Sequence, residues 1–208
     1  MTTEAGAEQP VGTDPRAALR RRDRGKDEEW IRAFLRVAPM GFFATVGEDG
    51  QPFLNSNLFA FDEERHCIYF HTHRTGRTRD NVADEERVCF SATAMGRMLP
   101  ALEALEFSVE YCGVVVFGVA RIVDGSDEAR HGLRILLEKY APHLEYGSDY
   151  RGTTDEELKR TAVYRLDIES WSGKQKEVAG DFPGAYDFPQ VPVPFPERSE
   201  VSVPPSYA

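Results

Sequence analysis

From Gly41 onward the chain is cut into short β-type runs by turn signals, and this punctuation constrains it to a mainly β, antiparallel fold. Phe42-Phe43-Ala44-Thr45-Val46 precedes the turn signal Glu48-Asp49-Gly50-Gln51, and Phe53 to Phe61 follows, the pattern of a β-hairpin. Cys67-Ile68-Tyr69-Phe70-His71-Thr72 forms a third run that ends at a helix start. Arg87-Val88-Cys89-Phe90-Ser91-Ala92-Thr93 forms a fourth after a short charged helix. Glu110 to Val123 is the longest strand candidate, with Gly113 and Gly118 where a barrel strand can bend sharply. Thr161 to Glu169 alternates as a final strand, and the set predicts a closed barrel.

Helices flank these runs. Asp27 caps a predicted helix with Trp30, Ile31, Phe34, Leu35 and Ala38 on one face and Glu28, Glu29, Arg32 and Arg36 on the other. A second helix from about Asp127 to Tyr140 turns Leu133, Leu136, Leu137 and Tyr140 to the core before Pro142 stops it, and Thr154-Asp155-Glu156-Glu157 opens a third by a capping box. With 208 residues and 41% hydrophobic content the chain supports one core. The expected organisation is a flexible N-terminal arm over residues 1–26, one domain over 27–178, and an extended arm over 179–208, rich in Pro and interleaved with Phe182, Tyr186, Phe188 and Phe195.

A formal net charge of -10 argues against a nucleic-acid partner, because phosphate binding along a duplex needs concentrated Lys and Arg. The one basic run, Arg20 to Lys26, reads as a solvated linker. Cys67, Cys89 and Cys112 lie in or beside apolar runs with no CxxC spacing, as buried reduced thiols do. The start lacks an apolar signal core and the stretch around Val114-Val115-Val116-Phe117 is too short to span a bilayer. No membrane association and a cytoplasmic location are therefore expected.

Three segments can carry chemistry. In Tyr69 to Asn81 a strand ends, a turn containing Gly76 follows, and a helix begins with Arg77, Thr78 and Arg79. The unpaired N–H groups of a helix start favour a dianionic phosphate, and arginines add charge-assisted bonds. His71 and His73 share one face of an extended chain, yet no carboxylate or thiol falls at ligand spacing, so no metal site is assigned. Cys112 has no base to make it a nucleophile. In Phe53-Leu54-Asn55-Ser56-Asn57-Leu58-Phe59, small polar residues interrupt an apolar strand, fitting either the edge of a planar heterocycle or a polar barrel exterior. After the final strand, Trp171-Ser172-Gly173-Lys174 offers an indole for stacking or for core anchoring and a lysine for an anion.

Taken together, these segments resemble the FMN-binding split-barrel superfamily of pyridoxamine-phosphate oxidase, and within it the nitroimidazole-resistance branch. The resemblance rests on Asp27 to Ile31, Asp49-Gly50-Gln51-Pro52-Phe53, Tyr69-Phe70-His71-Thr72, Gly76-Arg77, Phe107 to Tyr111, Val116 to Ala120 and Trp171 to Lys174, in that order. It implies a six-stranded antiparallel split β-barrel with flanking helices, a homodimer, and FMN in clefts between subunits. It implies further that Leu54, Asn55, Ser56 and Asn57 run along the flavin, with Gly76, Arg77 and Thr78 at its phosphate. Tyr111, Trp171 and Lys174 then complete the cleft. His71 is implied as the catalytic residue of an oxidoreductase acting on a small molecule such as a nitroaromatic; a flavin- or haem-binding carrier or sensor is the alternative on the same fold. Where many relatives have Lys, this chain has Thr78, so one phosphate contact passes to a hydroxyl or to Arg79. Where relatives have Tyr-x-Ser-Val it has Tyr111-Cys112-Gly113-Val114. The substrate-binding Arg-x-His of the vitamin B6 oxidases is missing after Trp171.

Overall fold

A computed structural model of the chain describes residues 14–188. Its elements are β1 (Gly25–Lys26), α1 (Glu28–Val37), β2 (Gly41–Val46), β3 (Pro52–Asn57), β4 (Ala60–Asp62), β5 (Cys67–His73), α2 (Arg77–Asp84), β6 (Arg87–Leu99), β7 (Ser108–Ile122), α3 (Ser126–Tyr140), α4 (Asp155–Leu158) and β8 (Thr161–Lys176). Every pairing is antiparallel, in the order β3-β2-β6-β7-β8-β5-β4, with β1 on β8. The fold is thus mainly β and split. Six strands have at least six residues, as expected, and the short β1 and β4 bring the sheet to eight.

The expected closed barrel is corrected: β3 and β4, the two ends of the ladder, are joined by residues 58–59 and are not paired with each other. Curvature comes instead from the long central strands. The register between β7 and β8 shifts at Phe117/Gly118, where a Cβ on Gly118 would lie 2.0 Å from the Asp167 carbonyl oxygen. Only glycine permits that approach, and such an irregularity bends and twists the strand. Past the bend β8 continues to Lys176, so Trp171 to Lys174 lie within the strand, not after it.

The curled sheet closes on a core of large side chains. Phe43, Phe59, Phe70 and Phe90 are buried together, Phe43 and Phe70 with ring centroids 4.3 Å apart and Phe70 stacked on Tyr164 at 4.7 Å. The Asp27 side chain accepts from the Trp30 amide to start α1, which buries Ile31 and Leu35 against this core. Thr154 and Glu157 form the capping box of α4. On the outer face α3 packs Ala129 beside Cys67, Tyr69 and Val163. Leu137, expected in the core, is 44% exposed, and Gly132 and Leu136 take the buried positions of α3. Of the expected N-terminal arm, residues 14–26 are described: Ala17 is buried, and β1 pairs with Gly173 and Lys174. Residues 179–188 turn back so that Tyr186 bridges Met98, and the rest of the Pro-rich arm lies outside the described residues.

Glu128 ties α3 to the sheet, accepting from the Tyr69 hydroxyl at 2.9 Å and from Arg121 and Arg165 at 2.7 and 3.1 Å. Burial acts to raise its pKa, but the bonds from Arg121, Tyr69 and Arg165 outweigh it and hold it at about 2. A lowered carboxylate pKa stabilises the fold above the ordinary range near 4.5, and that stabilisation is lost as pH falls to about 2. Glu128→Gln should therefore lower the melting temperature at neutral pH and converge with the parent over that interval. A difference that stays constant across a pH series of melts would contradict this account of the α3 anchor.

Candidate functional site

The site is built on the passage from β5 into α2. Gly76, which precedes the helix, has φ 140, a backbone conformation that side chains resist, while a Cβ there would meet nothing within 4 Å. Glycine is needed for the turn and not for space. Its carbonyl accepts from the Arg79 and Asp80 amides, and no side chain caps the helix, so the first-turn N–H groups face outward with the positive end of the helix dipole.

Successive α2 side chains point about 100° apart, which separates their roles. Arg77 lies over the Phe53 ring of β3, its guanidinium carbon 4.9 Å from the centroid. Thr78 turns inward, 5% exposed, and its hydroxyl accepts from Asn55 Nδ2 at 3.1 Å. One turn on, Asn81 Nδ2 donates to the buried Thr45 hydroxyl of β2 at 2.8 Å. Two side-chain bonds thus fix α2 against the hairpin β2–β3. Arg79 faces the other flank and, with Arg74, lines a cavity against β7 and β8. Among the described residues no carboxylate lies within ion-pair distance of Arg74, Arg77 or Arg79, whereas most arginines of the chain are paired.

β3 is an edge strand, so its outer row of backbone N–H and C=O groups has no partner strand among the described residues. The pleat divides the polar stretch: Asn55 and Asn57 face the inner side with Phe43 and Gly41, while Leu54 and Ser56 face outward. Leu54 and the following Leu58 are 60% and 48% exposed.

The remaining sequence-predicted residues lie apart from this cradle. His71 sits near the end of β5 opposite Val163, its side chain reaching solvent and with no side-chain hydrogen bond among the described residues; partial desolvation by the protein around its ring lowers its pKa. Its neighbour Thr72 bonds the Tyr164 hydroxyl at 2.9 Å. Tyr111 and Lys174 form a second group, Lys174 Nζ lying 5.5 Å from the Tyr111 ring centroid. Arg24, which the sequence places in a solvated linker, donates to the Tyr111 hydroxyl at 2.9 Å and lowers its pKa. Trp171 is 8% exposed in the core, edge-on to His66 at 4.7 Å and beneath the Arg32 guanidinium at 5.1 Å. No hydrogen bond or ion pair among the described residues joins the Arg77 group to the Tyr111 group. All three cysteines are free, and burial raises their pKa values, Cys67 to about 11, so they stay protonated.

The structure is that of a small split antiparallel barrel with a cationic helix start beside a free sheet edge. The chain belongs to the pyridoxamine 5'-phosphate oxidase family, whose model matches residues 27–175. No match was found among curated proteins. Among solved structures, a flavocytochrome from Azotobacter vinelandii superposes with a TM-score of 0.74 at 21% identity, covering 95% of this chain and 97% of that one. An FAD- and haem-binding protein from Mycobacterium smegmatis gives 0.69 at 22% identity over 88% and 95%. A protein from Bacteroides thetaiotaomicron assigned to 5-nitroimidazole antibiotic resistance gives 0.60 at 16% identity over 73% and 89%.

Gly76→Ala tests the local geometry directly. Forcing a side chain into this backbone conformation should cost about 1–2 kcal/mol in urea unfolding with the far-ultraviolet spectrum unchanged. Unaltered stability would mean that the turn does not depend on its positive φ.

Proposed function

We propose that the chain binds a flavin through its FMN portion and acts as an oxidoreductase on a small molecule, with a second copy completing the site. The observation that carries this is Arg77, without an ion pair among the described residues, at an uncapped helix start beside the free edge of β3 in a chain of net charge -10. An unneutralised cation on so acidic a protein fits a dianionic phosphate, which the first-turn amides and the Arg77 guanidinium bind together. The free edge of β3 runs beside it and suits a planar heterocycle edged with carbonyl and N–H groups. These residues fit the cofactor of the family.

A bound flavin supplies the capacity to accept and return electrons. Gly76 and Arg77 would hold its phosphate end, while the buried Thr78 hydroxyl, accepting from Asn55, would fix the helix beneath them. Asn55, Asn57 and the β3 backbone, flanked by Leu54 and Ser56, position the ring. His71, whose pKa desolvation lowers, would accept a hydrogen bond or a proton from a bound substrate. Tyr111 and Lys174 come from the second copy, which covers the exposed Leu54 and Leu58, and Trp171 supports the cleft from the core. The Bacteroides neighbour favours a nitroaromatic substrate. Three free thiols agree with a reducing, cytoplasmic setting. The Azotobacter and Mycobacterium neighbours favour a second reading, a flavin- or haem-holding carrier or sensor without turnover of its own.

Purified protein should take up FMN with quenching of its fluorescence, and Arg77→Ala should weaken the complex by about 1.5–3 kcal/mol, roughly tenfold to over a hundredfold. Unchanged affinity in a folded variant would remove the phosphate assignment. Reduction by a nicotinamide donor and reoxidation by a nitroaromatic would establish turnover. A haem absorption band, or bound flavin that stays reduced when the nitro compound is added, would favour the carrier.

A further inference from the structure

A cavity of about 370 Å³, within the size range of small-molecule pockets, lies between α3 and the loop that follows it, residues 142–153. None of its lining residues belongs to the α2 cradle or to the Tyr111 group. The loop is held in shape by its own bonds. Gly147 takes φ 88, its amide donates to the Tyr150 carbonyl at 2.8 Å, and the Asp149 carboxylate accepts from the Glu145 amide at 2.7 Å. A Cβ on Gly152 would lie 2.6 Å from the Tyr146 hydroxyl oxygen, so glycine there makes room for the tyrosine. Arg130 ties the loop to α3 through the Thr153 carbonyl at 3.1 Å and pairs with Asp155, while Arg151 is paired with Glu157 at 2.8 Å. These two arginines are therefore neutralised, and the cavity wall is organised before any ligand arrives.

What this frame presents to the cavity is aromatic, apolar and singly cationic. Tyr146 and Tyr150 meet edge to face with ring centroids 5.8 Å apart, and neither hydroxyl has a hydrogen-bond partner among the described residues. Leu137, turned out of the core, and Tyr146 line the same concavity at 44% and 56% exposure. Arg134 is the least engaged cation of the lining: its acidic partner, Glu138, is one helical turn away at 3.5 Å, and both side chains are half-exposed, a pairing that contributes little. Its Nη2 lies 3.4 Å from His131 Nδ1, and His131 Nε2 lies 2.7 Å from the nearly buried Asp62 carboxylate, a chain of contacts that steadies the guanidinium from β4. A planar guanidinium held this way matches the two oxygens of a carboxylate, and one such cation balances a single negative charge. We infer that this cavity binds a small aromatic carboxylate, its ring against Tyr146, Tyr150 and Leu137 and its charge on Arg134. The site shares no residue with the proposed flavin cleft and stands independently of it.

The test is a calorimetric titration of the full chain with benzoate, with benzamide as the probe that lacks the charge and acetate as the one that lacks the ring. Benzoate should bind at least about tenfold more tightly than either. Arg134→Gln, at an exposed position, should weaken benzoate about tenfold or more with the melting temperature unchanged, and Tyr146→Ala should weaken benzoate and benzamide alike. Neither change should alter the uptake of FMN. No binding of benzoate, equal affinities for benzoate and acetate, or benzoate binding that Arg134→Gln leaves untouched would overturn the site.

Discussion

The bend where Gly118 passes under the Asp167 carbonyl lets two long strands, β7 and β8, wrap far enough to enclose a core of phenylalanines. The same wrapping makes β8 the shared neighbour of β7, β5 and β1, so the two halves of the sheet hang on one strand. The ladder then runs out before it closes, and β3 is left at an edge. An edge of this kind is a liability for a soluble protein unless something covers it. Here a helix start with free amides and unpaired cations stands beside it.

That arrangement is held from inside the barrel. Thr78 bonds Asn55, Asn81 bonds Thr45, and both contacts are polar groups buried with partners at hand. They set the angle of α2, and because consecutive helical side chains diverge, setting the inward face also aims Arg77 to one flank and Arg79 to the other. The outward aim of the α2 arginines is thus a consequence of two hydrogen bonds beneath them. Thr78 suits this buried position, where a longer cationic side chain facing Asn55 would bury its charge.

Much of this was legible in the sequence because its signals are local. The Asp27 cap, the Thr154 capping box, the Gly76 turn and the alternation of the main strands each depend on a few adjacent residues, and the structure has them where the pattern puts them. What escaped depends on residues far apart in the chain. Trp171 reads as lying after a strand because Ser170 to Lys176 lose clean alternation, yet β7 supplies a partner that carries the strand through. Leu137 fits a helical stripe, but α3 meets the sheet across the smaller Ala129 and Gly132 faces, which turns Leu137 outward. Arg24 and the cavity beside Arg79 left no local mark, since their partners, Tyr111 in one case and β7 with α4 in the other, come from distant segments.

A phosphate at the arginine-flanked start of α2 is what the proposed function requires, and comparison of riboflavin with FMN isolates that phosphate. Side-by-side titrations at rising salt should show FMN binding at least about tenfold more tightly at low ionic strength, with the gap narrowing as the charges are screened. Equal affinities at every salt concentration would contradict the cradle at α2.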